Sequence, residues 1–202
     1  MDTKIISPKN LILIGIMGTL GNLISGLSIW ATPFLPTISL GPYSISIALD
    51  LSHITTFISA LYGGSTVGGL TGLIGGLIAA YEFGFSKGNI ITGFTLPIGK
   101  ALTGIAAGFV MVALKLQERR RHPIFFLSST LISYIPEAIY TFFIFLDIFP
   151  LVFGTPTFVL YPIVITILIK ASIEMIAEGM LLFVLSNNQG FTGLVKSFFI
   201  KN

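Results

Sequence analysis

The sequence contains no cysteine. Disulfides, thiolate metal sites and cysteine nucleophiles are therefore excluded. Charge is also scarce: Asp, Glu, Lys and Arg make up 9% of the residues, against about 25% in a soluble domain. So few charges cannot cover a water-facing surface. With 53% hydrophobic residues and a mean hydropathy of +0.95, the composition is that of an integral membrane protein. Its formal net charge of +3 then speaks to orientation in a membrane, not to nucleic acid. One histidine in a span and scattered carboxylates show no metal-ligand spacing. No serine shares a span with a second histidine, and no aspartates pair at one depth, so intramembrane proteolysis lacks its groups. A phosphate loop is missing too. The stretch "GGSTVGGLTGLIGG" (63–76) starts a near match at Gly64, but Leu70 stands where G-x-x-x-x-G-K-[ST] requires lysine. No cofactor and no enzymatic activity are expected, and any uphill transport must draw on a gradient or on another chain.

What is present is a series of long apolar runs. A spanning helix needs about 20 mostly apolar residues. Six runs qualify: about 11–29, 44–62, 65–83, 90–116, 124–149 and 157–186. Residues 1–202 read as a single all-α membrane domain of six spans, the first being a span rather than a removable signal. Gly63 and Gly64 separate the second run from the third. Lysine and arginine set the orientation. With the N-terminus inside, the cytoplasmic segments hold Lys4, Lys9, Lys115, Arg119, Arg120, Arg121, Lys196 and Lys201, while the outer ones hold only Lys87. Both termini are expected to be cytoplasmic. The run "KLQERRRH" (115–122) reads as a cytoplasmic loop, with anionic lipid binding as the alternative. The first outer connection, "WATPFLPTISLGPYS" (30–44), has three prolines, three aromatics and no charge. It is too apolar for a solvated linker and is expected to fold down on the outer face. Trp30 reads equally as an interfacial anchor or as a ligand contact.

The opening of the third span carries Gly64, Gly68, Gly72 and Gly76 at four-residue spacing. In lipid, helices associate through close approach of small residues, so this stripe is a packing face. Its mate lies within this chain, in a second copy or in a partner subunit. Helix one repeats the spacing at Gly18, Asn22 and Gly26, and helix four at Gly104 and Gly108.

Ionisable groups inside spans are expensive and mark functional sites by default. Asp50 and His53 lie three apart in the second run. Lys100 follows Pro97 and Gly99, Glu137 follows Pro136, and Lys170, Glu174 and Glu178 form a stripe at four-residue spacing. Lys100, Glu137 and Lys170 each fall on the order of 15–20 Å below the outer ends of their helices at 1.5 Å per residue. They are expected to meet at one level, with Tyr140, Thr141, Tyr161 and Thr166 above them as a vestibule open to the outside. That arrangement suits a small-molecule pocket: mostly apolar with a few placed polar groups. The candidate substrate-binding residues are Trp30, Phe34, Lys100, Glu137, Tyr140, Tyr161, Thr166 and Lys170. The competing reading is structural: Lys100 with Glu137, or Lys170 with Glu174, as buried pairs that fix helix packing. For Asp50 and His53 the choice is between a proton relay and a simple hydrogen-bonded pair.

The stretch "LDLSHITTFISALYGGSTVGGLTGLIGGL" (49–77) resembles the second and third helices of the substrate-binding S-components of energy-coupling factor (ECF) transporters. The likeness extends in outline to six spans, a long apolar first outer loop and a lysine in "LIKASIE" (168–174). It implies capture of a vitamin or related small molecule from outside, with the first loop as a lid. It also implies a cell-membrane location, and association with a transmembrane coupling subunit and two ATPase subunits. The segment "GIMGTLG" resembles the docking face of helix one in that family. This chain has Gly18 and Asn22 where alanines are common there, and Gly26 one turn on. "LIKA" resembles riboflavin-binding members, whereas Lys100 would equally suit a carboxylate ligand such as biotin, pantothenate or niacin. Two rivals stand beside this reading: a stand-alone carrier, proton-coupled through Asp50 and His53 or Glu137, and a non-transporting scaffold.

Overall fold

The computed structural model describes residues 6–40, 43–46, 49–119 and 121–199. Lys4, Pro42, Arg120 and Lys201, which entered the expectations above, lie outside them. α1 (Pro8–Ala31) starts at Ser7, whose hydroxyl accepts from the Asn10 N–H at 3.3 Å, with proline at the first helical position. A single 3-10 turn follows at Thr32–Phe34. Then comes a small antiparallel hairpin, β1 (Thr37–Leu40) and β2 (Tyr43–Ser46), with Thr37 opposite Ser46 and Leu40 opposite Tyr43. Pro33 and Pro36 precede the strands, where a missing N–H breaks no ladder. The rest is helical: α2 (His53–Gly75), α3 (Leu77–Phe83), α4 (Ile90–Ala113), α5 (Pro123–Phe143), α6 (Phe149–Phe153), α7 (Thr157–Asn187) and α8 (Gln189–Phe199). A π turn at Ile144–Ile148 joins α5 to α6.

Five helical stretches are long and apolar enough to cross a membrane: Pro8–Phe34, His53–Lys87, Ile90–Ala113, Pro123–Phe153 and Thr157–Asn187. The second of these is folded double. Gly64 has φ 83° and ψ −174°, a conformation essentially reserved for glycine. The chain reverses there. A Cβ added to Gly68 would lie 2.7 Å from the Ala60 Cβ, whereas eight residues of straight helix measure about 12 Å. Lys100 shows the same reversal, with its carbonyl against Gly72 and its ammonium on Ser52. The break expected at Gly63 and Gly64 is thus present, giving arms 53–63 and 65–75. The first arm differs from expectation. It begins at His53 rather than near Ser44, because Tyr43–Ser46 form β2 and residues 49–52 are not helical.

The glycine stripe packs inside the chain. Gly68 lies against Gly104, Gly72 against Lys100, and Gly76 against Pro97, so arm 65–75 runs antiparallel to α4 with backbones in direct contact. The other side of this arm meets α1. The helix breaks at Gly76, and Asn22 fills the gap: its Nδ2 donates to the Ile74 carbonyl at 2.7 Å, and its Oδ1 accepts from the Ile78 N–H at 2.9 Å. One side-chain amide thus replaces the helix's own bond between residues 74 and 78. Gly18 is buried against Ile74, and Gly26 lies 3.7 Å from Ile78 by the same measure. The face of α1 expected to receive a partner is therefore covered by this chain.

The main apolar core joins Phe57, Met111, Leu116, Phe126, Met175 and Leu182 from arm 53–63, α4, the α4–α5 connection, α5 and α7. Phe191 of α8 packs on its edge. The helix directions gather Lys9, Lys115, Arg119 and Arg121 at one end of the bundle, and Lys87 at the other. Arg119 stacks on the Phe125 ring at 4.4 Å. α8 was not expected from the sequence. Its cap is Asn188, whose Oδ1 accepts from the Phe191 N–H at 2.9 Å.

Candidate functional site

Arm 53–63 is about 16 Å long at 1.5 Å per residue, roughly half the hydrocarbon thickness of a bilayer. Its N-terminus therefore begins inside the bundle rather than at a surface. Interrupted helices of this kind mark binding sites in transporters, because their free backbone groups need partners. Here α7 and the arm's own approach supply them. Glu174 Oε1 accepts from the Asp50 N–H at 2.8 Å, Asp50 Oδ1 from the Ser52 N–H at 3.1 Å, and Glu178 Oε1 from the Ile54 N–H at 3.2 Å. Carboxylates against a helix N-terminus also suit its dipole.

Residues 50–54 are the hub on which the other charges converge. Asp50 Oδ2 accepts from Ser25 at 3.1 Å and faces the Lys100 ammonium at 3.6 Å. Lys100 is buried and also donates to the Ser52 hydroxyl. His53 Nε2 lies 3.1 Å from Glu137 Oε2, which accepts from the Thr103 hydroxyl at 2.5 Å. Lys170 lies 3.7 Å from Glu174. The close approach of α4 to arm 65–75 sets Lys100 at this depth, and Gly99 leaves room for Glu137, to which an added Cβ would come within 3.2 Å. The site grades from open to sealed. The side chains of Lys170 and Asp50 are 31% and 28% exposed, while Glu178 is 0% exposed.

Lys100, Glu137 and Lys170 each reach this hub, but through different residues and without direct contact with one another. Their partners differ in part. Lys170 with Glu174 forms as anticipated, but Lys100 takes Asp50 and Ser52, and Glu137 takes His53 and Thr103. Asp50 and His53 face different partners instead of each other. The remaining candidates stand apart from this hub. Trp30 and Phe34 touch each other, with ring centroids 5.3 Å apart, and are 69% and 74% exposed. Tyr161 packs on Phe142 at 6.3 Å and is half exposed. Tyr140 packs against the small cluster of Ile144, Phe149 and Leu160. Thr166 is half-buried on α7. Ser25, Ser52 and Thr103 were not anticipated. Thr103 had a readable signal, since it lies three residues after Lys100 and so shares its helix face. Ser25 and Ser52 had none, because neither spacing nor composition separates them from other span serines.

Compared with protein-family models, curated proteins and solved structures, the chain finds no match. No group of three or more His, Asp or Glu side chains suited to a metal ion occurs among the described residues. What the arrangement provides is a buried, hydrogen-bonded charge cluster. Its charges come from one loop root and four helices, α2, α4, α5 and α7, and it is partly open beside Asp50 and Lys170.

Proposed function

We propose that this chain is the substrate-capture subunit of an ATP-driven importer of the energy-coupling factor type, taking a vitamin or related small molecule from outside the cell. In this reading it sits in the plasma membrane with both termini cytoplasmic. It works with a transmembrane coupling subunit and two ATPase subunits. The observation that supports it best is the anchoring of the first loop. The hairpin segment returns to the bundle through Asp50, and Asp50 is held by Ser25, Lys100 and Glu174 at once. A ligand that engages Lys100, Glu174 or Lys170 must alter how that loop is held, so binding and loop position are coupled.

Docking then needs a surface other than Gly18, Asn22 and Gly26. The open side of α1, with Ile12, Gly15, Ile16 and Leu23 exposed, is the available one. Affinity purification of the tagged chain from its native membrane tests the reading. A membrane partner and ATPase subunits should accompany it, and uptake should require ATP. Purification of the chain alone, with gradient-driven uptake after reconstitution in liposomes, would replace it with the proton-coupled carrier. The buried His53–Glu137 pair is the observation on that side.

A further inference from the structure

The hub is not charge-balanced. Asp50, Glu137, Glu174 and Glu178 bring carboxylates from the loop root, α5 and α7. Against them stand Lys100 of α4, Lys170 of α7 and, at most, a protonated His53. Even with His53 charged, the four carboxylates exceed the three cations by one. Both lysines are already engaged, Lys100 by Asp50 and Ser52, and Lys170 by Glu174.

The helix N-terminus is engaged as well. In transporters with interrupted helices, free N–H groups at such a terminus receive the anionic end of the substrate. Here the N–H groups of Asp50, Ser52 and Ile54 already donate to the carboxylates of Glu174, Asp50 and Glu178. The protein's own anions fill the place that a carboxylate or phosphate ligand would need. What remains open is an acceptor. Glu178 Oε2 is fully buried and has no hydrogen-bond partner among the described residues.

We infer that the ligand of this site is a small organic cation, a protonated amine or a quaternised ring nitrogen, and not a carboxylate or phosphate. This rests on the capture reading above and specifies its substrate class. An unbalanced negative charge in a low-dielectric interior has to be neutralised. With His53 charged, one further proton held among Asp50, Glu137, Glu174 and Glu178 does this in the empty protein, and the ligand's positive charge does it in the loaded one. The entrance lies beside Lys170 and Asp50, the most exposed members. Lys170 is the positive charge that an arriving cation meets at this edge, beside Glu174. The carboxylates, rather than the lysines, then hold the ligand's charge.

Two variants at the exposed edge separate the ligand classes. Glu174→Gln keeps an oxygen for the Asp50 N–H while removing one negative charge. Lys170→Ala removes a competing positive charge. The full chain in detergent is probed with thiamine and N-methylnicotinamide as cations, nicotinate and pantothenate as anions, and riboflavin as a neutral ring. Small molecules released from the purified protein by heating are identified by mass spectrometry in parallel. The expected result is a cation bound by wild type, held more tightly by Lys170→Ala, and weakened about tenfold or more by Glu174→Gln, as loss of one nearby unit charge implies. An anionic or neutral ligand, or the opposite order of the two variants, overturns the inference and leaves the capture reading standing. A folded protein that releases nothing and binds none of the probes overturns both.

Discussion

Lys100 remains buried because Asp50 and Ser52 meet its ammonium group. A single uncompensated charge at that depth would be far less stable than the pair. Lys100→Met leaves the Asp50 carboxylate without its cation. It should lower unfolding free energy by about 3–5 kcal/mol, read from unfolding titrations in mixed micelles. Adding Asp50→Asn should restore more than half of that loss. Equal losses in the single and double variants would show that the pair is not coupled. The residue types in this site were legible, since charges inside apolar runs stand out. Their pairing was not. Asp50 and His53, three apart in sequence, suggested a mutual bond, but residues 50–52 are not helical and the two side chains turn to different helices.

At the scale of elements, the glycines divide into two roles. Gly64 supplies a backbone conformation, and Gly72 supplies absence of bulk. Gly64→Ala should cost about 1–3 kcal/mol through strain at a glycine-only φ/ψ, while a Cβ at residue 64 meets nothing within 4 Å. Gly72→Leu drives a side chain into the Lys100 carbonyl and must separate α4 from arm 65–75. Unfolding should therefore show losses in both variants, but ligand retention should fail only in Gly72→Leu, where Lys100 shifts. Retention in both would mean that the hub does not depend on this helix contact. The four-residue spacing made the stripe readable as a packing face. Its mate was not readable, because every apolar helix in the chain offers some small residues. The same ambiguity let the face of α1 at Gly18, Asn22 and Gly26 pass for a docking surface, when Thr71, Ile74 and Ile78 cover it.

For the whole molecule, the decisive quantity is the placement of basic charge. Lys9, Lys115, Arg119 and Arg121 share one end of the bundle, and the rule relating such charges to the cytoplasm predicts its sidedness. The absence of cysteine makes the test clean. Ser86→Cys, in the exposed connection before α4, should react with a membrane-impermeant maleimide in intact cells. Glu118→Cys, in the exposed connection before α5, should react only after the membrane is opened. The reverse pattern would invert the protein and place the hairpin and the open edge of the hub on the cytoplasmic side. Import by capture would then be untenable.

Composition and hydrophobic run length alone determined that the chain is built from helices long and apolar enough to cross a membrane, and most of their limits. Those features depend only on local transfer free energy and helical rise, which each segment carries by itself. The turn at Gly63 and Gly64 belongs with them, since it reflects a local backbone allowance. Only the tertiary structure decided which charges pair, which glycine faces which helix, and that the second span begins late at His53. It alone showed Glu174 and Glu178 capping that late start from α7, more than a hundred residues on. Such facts are relations between distant segments. Their energies arise from desolvation and close approach, and neither is present in any one segment until the helices have packed.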